Sequence, residues 1–111
     1  MQRDYNLYLK DILQAIDKIN RYISRLSLHD FMNDDKKTDA VIHNLQIIGE
    51  AVRNIPPRIR FNYPDVEWEK IGGLRNIIVH EYFALQIKRI WEILMNKLPI
   101  LEEQIKHILS S

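Results

Sequence analysis

Residue types able to do acid–base and phosphate chemistry near neutral pH gather in one short run, Gly72-Gly73-Leu74-Arg75-Asn76-Ile77-Ile78-Val79-His80-Glu81-Tyr82. A guanidinium, an imidazole and a phenol follow one another there. Four residues separate Arg75 from His80, and one separates His80 from Tyr82. The intervening Leu74, Ile77, Ile78 and Val79 are apolar, so the run reads as a partly buried helix that carries polar groups. A helix turns about 100° per residue, which puts Arg75 and Tyr82, seven apart, on nearly one face. Asn76 and His80, four apart, also align. Arg75 and His80 stand about 140° apart on a straight helix. They converge only if the arginine arm wraps round, if the helix ends near His80, or if a second subunit completes the site.

A histidine is a general acid or base near pH 7, worth about 10²–10⁴ in rate. An arginine beside it can hold a phosphate and stabilise charge developing on a pentacoordinate phosphorus. The pair suffices for RNA cleavage without a metal. His80 would help a ribose 2′-hydroxyl attack the adjacent phosphate, Arg75 would steady the oxyanion, and a cyclic phosphate would remain. On spacing alone a structural reading stands beside this one: a buried hydrogen bond between His80 and Tyr82, with Arg75 in a surface ion pair to Glu69 or Glu81. Asn76 either orients the imidazole or a phosphate, or is a helix-surface residue. Glu81 reads as a structural partner of Arg75 or Lys88. Other chemistries find little support. His29, His43, His80 and His107 are scattered, whereas zinc typically takes three or four protein ligands. His43 and Glu50 share a helical face only as a single pair. Gly72-Gly73 lacks the glycine-rich and lysine pattern of a phosphate loop. Ser24, Ser27, Ser110 and Ser111 lie in no elbow-like context.

The elements that must position these groups follow from composition and periodicity. The 111 residues suit one domain spanning residues 1–111, with one core. Three glycines and four prolines leave little room for turns, which favours a few long helices over many strands. A net charge of +1 gives no general attraction for nucleic acid, so anion binding must be local, built from a few aimed arginines. The absence of cysteine excludes disulfides and thiolate metal sites. The first residues are charged and amphipathic with no apolar signal core, and no apolar run approaches the roughly 20 residues of a membrane span. The expectation is a cytoplasmic protein without a membrane segment.

Tyr5, Tyr8, Ile12, Ala15, Ile19, Tyr22 and Leu26 alternate steps of three and four, a helix with one buried stripe that Leu9, Leu13, Ile16 and Ile23 widen. Ser27, with Asp30 three residues on, resembles a capping box and starts a short helical turn. Asp34-Asp35-Lys36-Lys37 is a charged hinge that reads as a solvated helix start. Val41, Leu45, Ile48, Val52 and Ile55 then mark a helix that Ile42, Ile47, Gly49 and Ala51 make apolar on more than one side. Gly49 in its interior suggests a close helix crossing, and Pro56-Pro57 ends it. Arg58 and Arg60 belong to a connector, solvated before it is a guide for RNA. Asp65 is the candidate N-cap of the next helix, which Trp68, Ile71, Leu74 and Ile78 continue. Gly72-Gly73 there needs tertiary support or the close approach of another backbone. Ile87, Ile90, Leu94, Leu98, Leu101, Ile105 and Ile108 form either one helix kinked near Pro99 or two collinear helices broken there. The fold expected is all-α, an up-and-down bundle of four to five helices.

The order Leu74-Arg75-Asn76-Ile77-Ile78-Val79-His80-Glu81-Tyr82-Phe83, after Trp68 and Ile71-Gly72-Gly73, resembles the HepT-like toxins of the HEPN superfamily. Their hallmark is Arg, four to six residues, His, any residue, Tyr. Residues Asp39 to Ala51 resemble the family's second helix, and Ile90-Trp91-Glu92-Ile93-Leu94 with Leu98-Pro99 its last, so the likeness covers essentially the whole chain. The resemblance implies a helical homodimer with a cleft where the two motif helices meet. It implies a metal-independent ribonuclease, needing no cofactor, with Arg75 and His80 as the catalytic pair and RNA, tRNA included, as the substrate class. It implies a type VII toxin–antitoxin system in which a minimal nucleotidyltransferase of the MntA type transfers AMP to Tyr82. Asn76, Glu50 and Arg53 would support the cleft. Because HEPN domains also serve as non-catalytic subunits, the alternative is a partner that binds nucleotide or docks a nucleotidyltransferase.

Overall fold

The computed structural model of the protein describes residues 4–74 and 84–111. They form seven helices: α1 (Tyr5–Ile23), α2 (Leu28–Met32), α3 (Asp35–Arg53), α4 (Pro57–Asn62), α5 (Trp68–Gly72), α6 (Ala84–Asn96) and α7 (Leu98–Leu109). No strand occurs among the described residues, as an all-α chain requires. The long pair α1 and α3 lie against each other; α7 also packs on α1, α2 on α3 and α6, α5 on α3, and α6 on α7. Their apolar faces merge into one core.

α1 starts where the Asp4 side chain accepts the Asn6 N–H at 3.0 Å. It buries Leu9, Ile12, Ala15, Ile16, Ile19 and Ile23. Tyr5, Tyr8 and Tyr22, expected in the main stripe, lie half-buried at its rim. The apolar body of a tyrosine packs while its hydroxyl stays wet, so the stripe turns toward the aliphatic positions. The helix stops before Arg25, whose φ of 67° is the left-handed conformation common just past helix ends. The capping box at α2 forms as the sequence suggests. The Ser27 hydroxyl accepts the Asp30 N–H, and the Asp30 carboxylate accepts the Ser27 N–H, each at 3.1 Å. Ser27 holds the Asp30 carboxyl below its ordinary range, its backbone N–H contributing most and its side chain next.

The charged run 34–37 is a helix start: the Asp34 carboxylate accepts the Lys37 N–H at 3.0 Å. α3 then buries Val41, Ile42, Leu45, Ile48, Gly49, Ala51 and Val52, and beyond its first turn the exposed residues form a narrow stripe of Asp39, His43, Gln46, Glu50 and Arg53. This is the helix buried on more than one side that its composition implies. Its two buried polar side chains are satisfied. Thr38 donates to the Phe31 carbonyl at 2.9 Å, tying α3 to α2, and Asn44 donates to the Ala40 carbonyl at 2.9 Å.

One helix start departs from sequence expectation. Asp65 caps no helix: α5 begins at Trp68 after a turn, with Glu67 at the N-cap position and no side-chain cap bond. Val66 and Trp68 are both buried, and the Trp68 indole N–H donates to the Tyr63 carbonyl at 2.9 Å. Packing both side chains holds the chain in a turn for two residues longer than the acidic pattern suggests. At the C-terminal end the sequence leaves two readings open, and the structure has the broken form: two helices meet at Lys97 rather than one kinked helix passing through Pro99. Pro99 sits in the first turn of α7, where its missing N–H breaks no bond. Among the described residues, no helix is long and apolar enough to cross a membrane.

Candidate active site

Arg75, Asn76, His80, Glu81 and Tyr82 lie outside the described residues, as does the part of the expected helix that would carry them. What the structure fixes is the frame on either side: α3, α5 and Leu74 before the run, α6 after it. The frame is held by glycine. A Cβ built on Gly49 would lie 3.3 Å from the Ile71 carbonyl oxygen and 3.7 Å from that of Gly72. α3 and α5 therefore touch backbone to backbone, the close crossing that Gly49 suggests. A Cβ on Gly72 would lie 3.3 Å from Arg53 Cγ and 3.8 Å from Val52 Cγ1, so Gly72 makes the lane through which the Arg53 stem passes. Leu74 follows, 7% exposed. The chain thus leaves for Arg75 from a point anchored in the core. Only Leu74 separates Gly73 from Arg75, a span of at most about 7 Å between α-carbons.

Beside this anchor is a pocket of about 250 Å³ lined by Val52, Arg53, Arg60, Trp68, Glu69, Gly72 and Gly73. Arg60 is held in it. Its Nε–H donates to the Ile55 carbonyl and its Nη2 to the Arg53 carbonyl, both at 3.0 Å. Pro56-Pro57 cuts α3 short, and helix ends leave carbonyls that need donors from elsewhere; Arg60 supplies them. Arg58 stacks its guanidinium 5.5 Å from the Tyr5 ring centroid. Arg60 is therefore not the freely solvated connector residue that the sequence suggests, whereas Arg58 is exposed. Hydropathy periodicity carries no signal for Arg60; the signal is the proline pair, which follows the end of α3 at Arg53 and directly precedes a cation-rich segment.

Of the supporting candidates, Arg53 reaches this pocket and Glu50 does not. Glu50 is exposed one turn earlier on α3, and its carbonyl accepts the Asn54 side-chain amide at 2.8 Å. On another side of α5, a cavity of about 580 Å³ opens between α5, α6 and α7, with Ile71, Leu74, Ile93, Leu98 and Leu101 in its wall. Glu67 at its rim accepts from Lys70 at 3.0 Å and Lys97 at 3.1 Å. These two ammonium groups, Lys70 first, hold its carboxyl below the ordinary range. Among the described residues no three His, Asp or Glu side chains gather as a metal-binding group.

A family model described as Ribonuclease HepT-like matches residues 12–108. The chain belongs to the HepT-like family. The matched region of this HepT-like chain takes in the whole run from Gly72 to Tyr82. A protein of Caldanaerobacter subterraneus subsp. tengcongensis named "Putative RNase TTE0752" is 39% identical over 102 residues, 92% of this chain and 91% of its own. "Putative RNase MJ0127" of Methanocaldococcus jannaschii is 34% identical over 108 residues, 97% of this chain and 89% of its own. "Probable ribonuclease HepT" of Thermococcus cleftensis is 33% identical over 102 residues, 92% of this chain and 93% of its own. No solved structure matches the HepT-like chain.

Proposed function

We propose that the protein is a metal-independent endoribonuclease and the toxin of a type VII toxin–antitoxin pair. The observation that carries the reading is the HepT-like match across residues 12–108, which encloses Arg75, His80 and Tyr82 in the family's order and spacing. In this reading His80 takes the proton of the ribose 2′-hydroxyl as it attacks the adjacent phosphorus. Arg75 binds the equatorial oxygens as charge builds on them. The P–O5′ bond breaks, the leaving 5′-oxygen takes its proton from water, and a 2′,3′-cyclic phosphate stays on the upstream fragment. Asn76, four residues before His80 in the sequence, orients the imidazole, and Glu50 and Arg53 on α3 support the edge of the site. Two copies of the chain meet at a two-fold axis, which places groups from both motif helices in one cleft and removes the difficulty of the 140° separation.

Tyr82 is the acceptor of AMP from an MntA-type nucleotidyltransferase encoded beside this protein. The transferred group adds a negative charge and bulk near Arg75, which repels the RNA phosphate and fills the cleft. The test is co-expression. Expression of the chain alone slows growth, the active nucleotidyltransferase restores it, and mass spectrometry finds AMP on the Tyr82 peptide. An unmodified Tyr82 peptide with the active partner present removes the antitoxin part. One observation favours a second reading, a non-catalytic HEPN subunit that binds nucleotide or docks the nucleotidyltransferase: the net charge of +1 offers no wide track for RNA. That reading predicts a stable complex with the partner, no toxicity and no cleavage.

A further inference from the structure

We propose that Arg53 and Arg60, in the pocket beside Gly72 and Gly73, form a subsite for one phosphodiester of the RNA strand, next to the bond that is cut. The inference rests on the ribonuclease reading and gives its substrate a second point of attachment.

The geometry supplies a built cation rather than a loose one. Two of the five guanidinium N–H donors of Arg60 are spent on the Ile55 and Arg53 carbonyls, leaving three for a ligand. With its arm already immobilised, Arg60 loses little further freedom on binding, and a planar fork suits phosphate oxygens. Arg53 adds a second guanidinium that has no ion pair or hydrogen bond among the described residues. Its stem is steered by Gly72, where any side chain would crowd Cγ at 3.3 Å.

Charge selects the ligand class. The pocket of about 250 Å³ holds two arginines against one carboxylate, Glu69, so one positive charge is left over. That matches the single negative charge of a phosphodiester. A terminal phosphate carries about −1.5 to −2 near pH 7 and would stay under-compensated. Position completes the argument. The pocket's Gly73 rim is two residues from Arg75, so a phosphate held here and one held by Arg75 are within reach of one strand. With a net charge of only +1, the chain has no broad field to rely on, and a few aimed contacts must carry substrate affinity.

The test measures binding apart from cleavage. A fluorescein-labelled single-stranded RNA is titrated with the His80→Ala protein by fluorescence anisotropy across a range of NaCl. Arg53→Gln is then added to that background. Arg53 is exposed on α3, so the double variant keeps its fold, which circular dichroism checks. The expected result is about tenfold weaker binding at low salt, with the slope of log affinity against log salt shallower by about 0.7. Arg53→Lys keeps the charge and retains the slope. Gly72→Ala, which pushes the Arg53 stem aside, weakens binding with no change in charge. If the parent binds RNA and Arg53→Gln leaves both affinity and slope unchanged, the subsite is refuted and the ribonuclease reading stands. If the parent does not bind and the wild-type protein does not cleave RNA, the ribonuclease reading falls and the subsite with it.

Discussion

Gly49→Leu should loosen the contact on which the site's frame depends. The α3–α5 crossing leaves 3.3 Å between a Cβ at position 49 and the Ile71 carbonyl oxygen, so even a methyl group asks α5 to shift by a few tenths of an ångström. Glycine in a helix interior costs about 1 kcal/mol against alanine, and this gain offsets the crowding in Gly49→Ala, which should leave stability near the wild-type value. Leucine keeps most of the propensity gain but brings three further carbons toward a backbone that cannot rotate away. Overpacking of this kind costs typically 1–3 kcal/mol, occasionally more, and the far end of leucine drives α5 off α3. The net expectation is a loss of about 1–2 kcal/mol, or roughly 4–8 °C in Tm for a chain of this size. Gln46→Leu, on the exposed stripe of the same helix, is the control and should stay within about 0.5 kcal/mol. Thermal and urea unfolding followed by circular dichroism measure all three. A Gly49→Leu protein that melts at or above the wild-type temperature would refute the backbone-to-backbone account of the crossing.

Ser27→Ala removes one half of the α2 capping box and should cost about 1 kcal/mol in urea unfolding. Because Ser27 holds the Asp30 carboxyl below its ordinary range, this cap stabilises the fold above the unfolded carboxyl value of about 3.9. Its contribution is lost as pH falls through the lower folded value, so the stability gap between Asp30→Asn, which removes the carboxylate that the Ser27 N–H holds, and wild type should narrow in acid. Thr38→Val keeps the shape but withdraws the hydroxyl from the Phe31 carbonyl, and should cost about 1 kcal/mol by the same assay. Glu67→Gln breaks the exposed bridge to Lys70 and Lys97. Its small effect on Tm should vanish as salt is raised.

The helical pattern was legible wherever burial and periodicity agreed. α3 announces its central place through apolar residues on several sides, and Gly49 announces the crossing because a glycine in so strong a helix needs a packing reason. The Ser27–Asp30 box is local chemistry and needs no tertiary knowledge. Contacts decided by distant partners were harder to read. The start of α5 is set by the burial of Val66 and Trp68, which outweighs the acidic capping signal at Asp65. Arg60 reads as a surface cation until α3 is seen to end without donors for its carbonyls. For the candidate site the division is different. The residue types and order of Arg75, His80 and Tyr82 are visible in the sequence, but a 140° separation on one helix cannot by itself say which groups meet. The structure adds the flanking frame, with Arg53 drawn to Gly72 and Glu50 left one turn away.

The claim on which the account turns is metal-free cleavage of RNA by Arg75 and His80. Purified protein is incubated with a labelled RNA in EDTA, and the fragment ends are analysed by mass spectrometry. The account predicts cleavage that leaves 2′,3′-cyclic phosphate ends and is abolished in both His80→Ala and Arg75→Ala, with the circular dichroism spectrum of each variant unchanged. Cleavage by His80→Ala protein at the wild-type rate would contradict it.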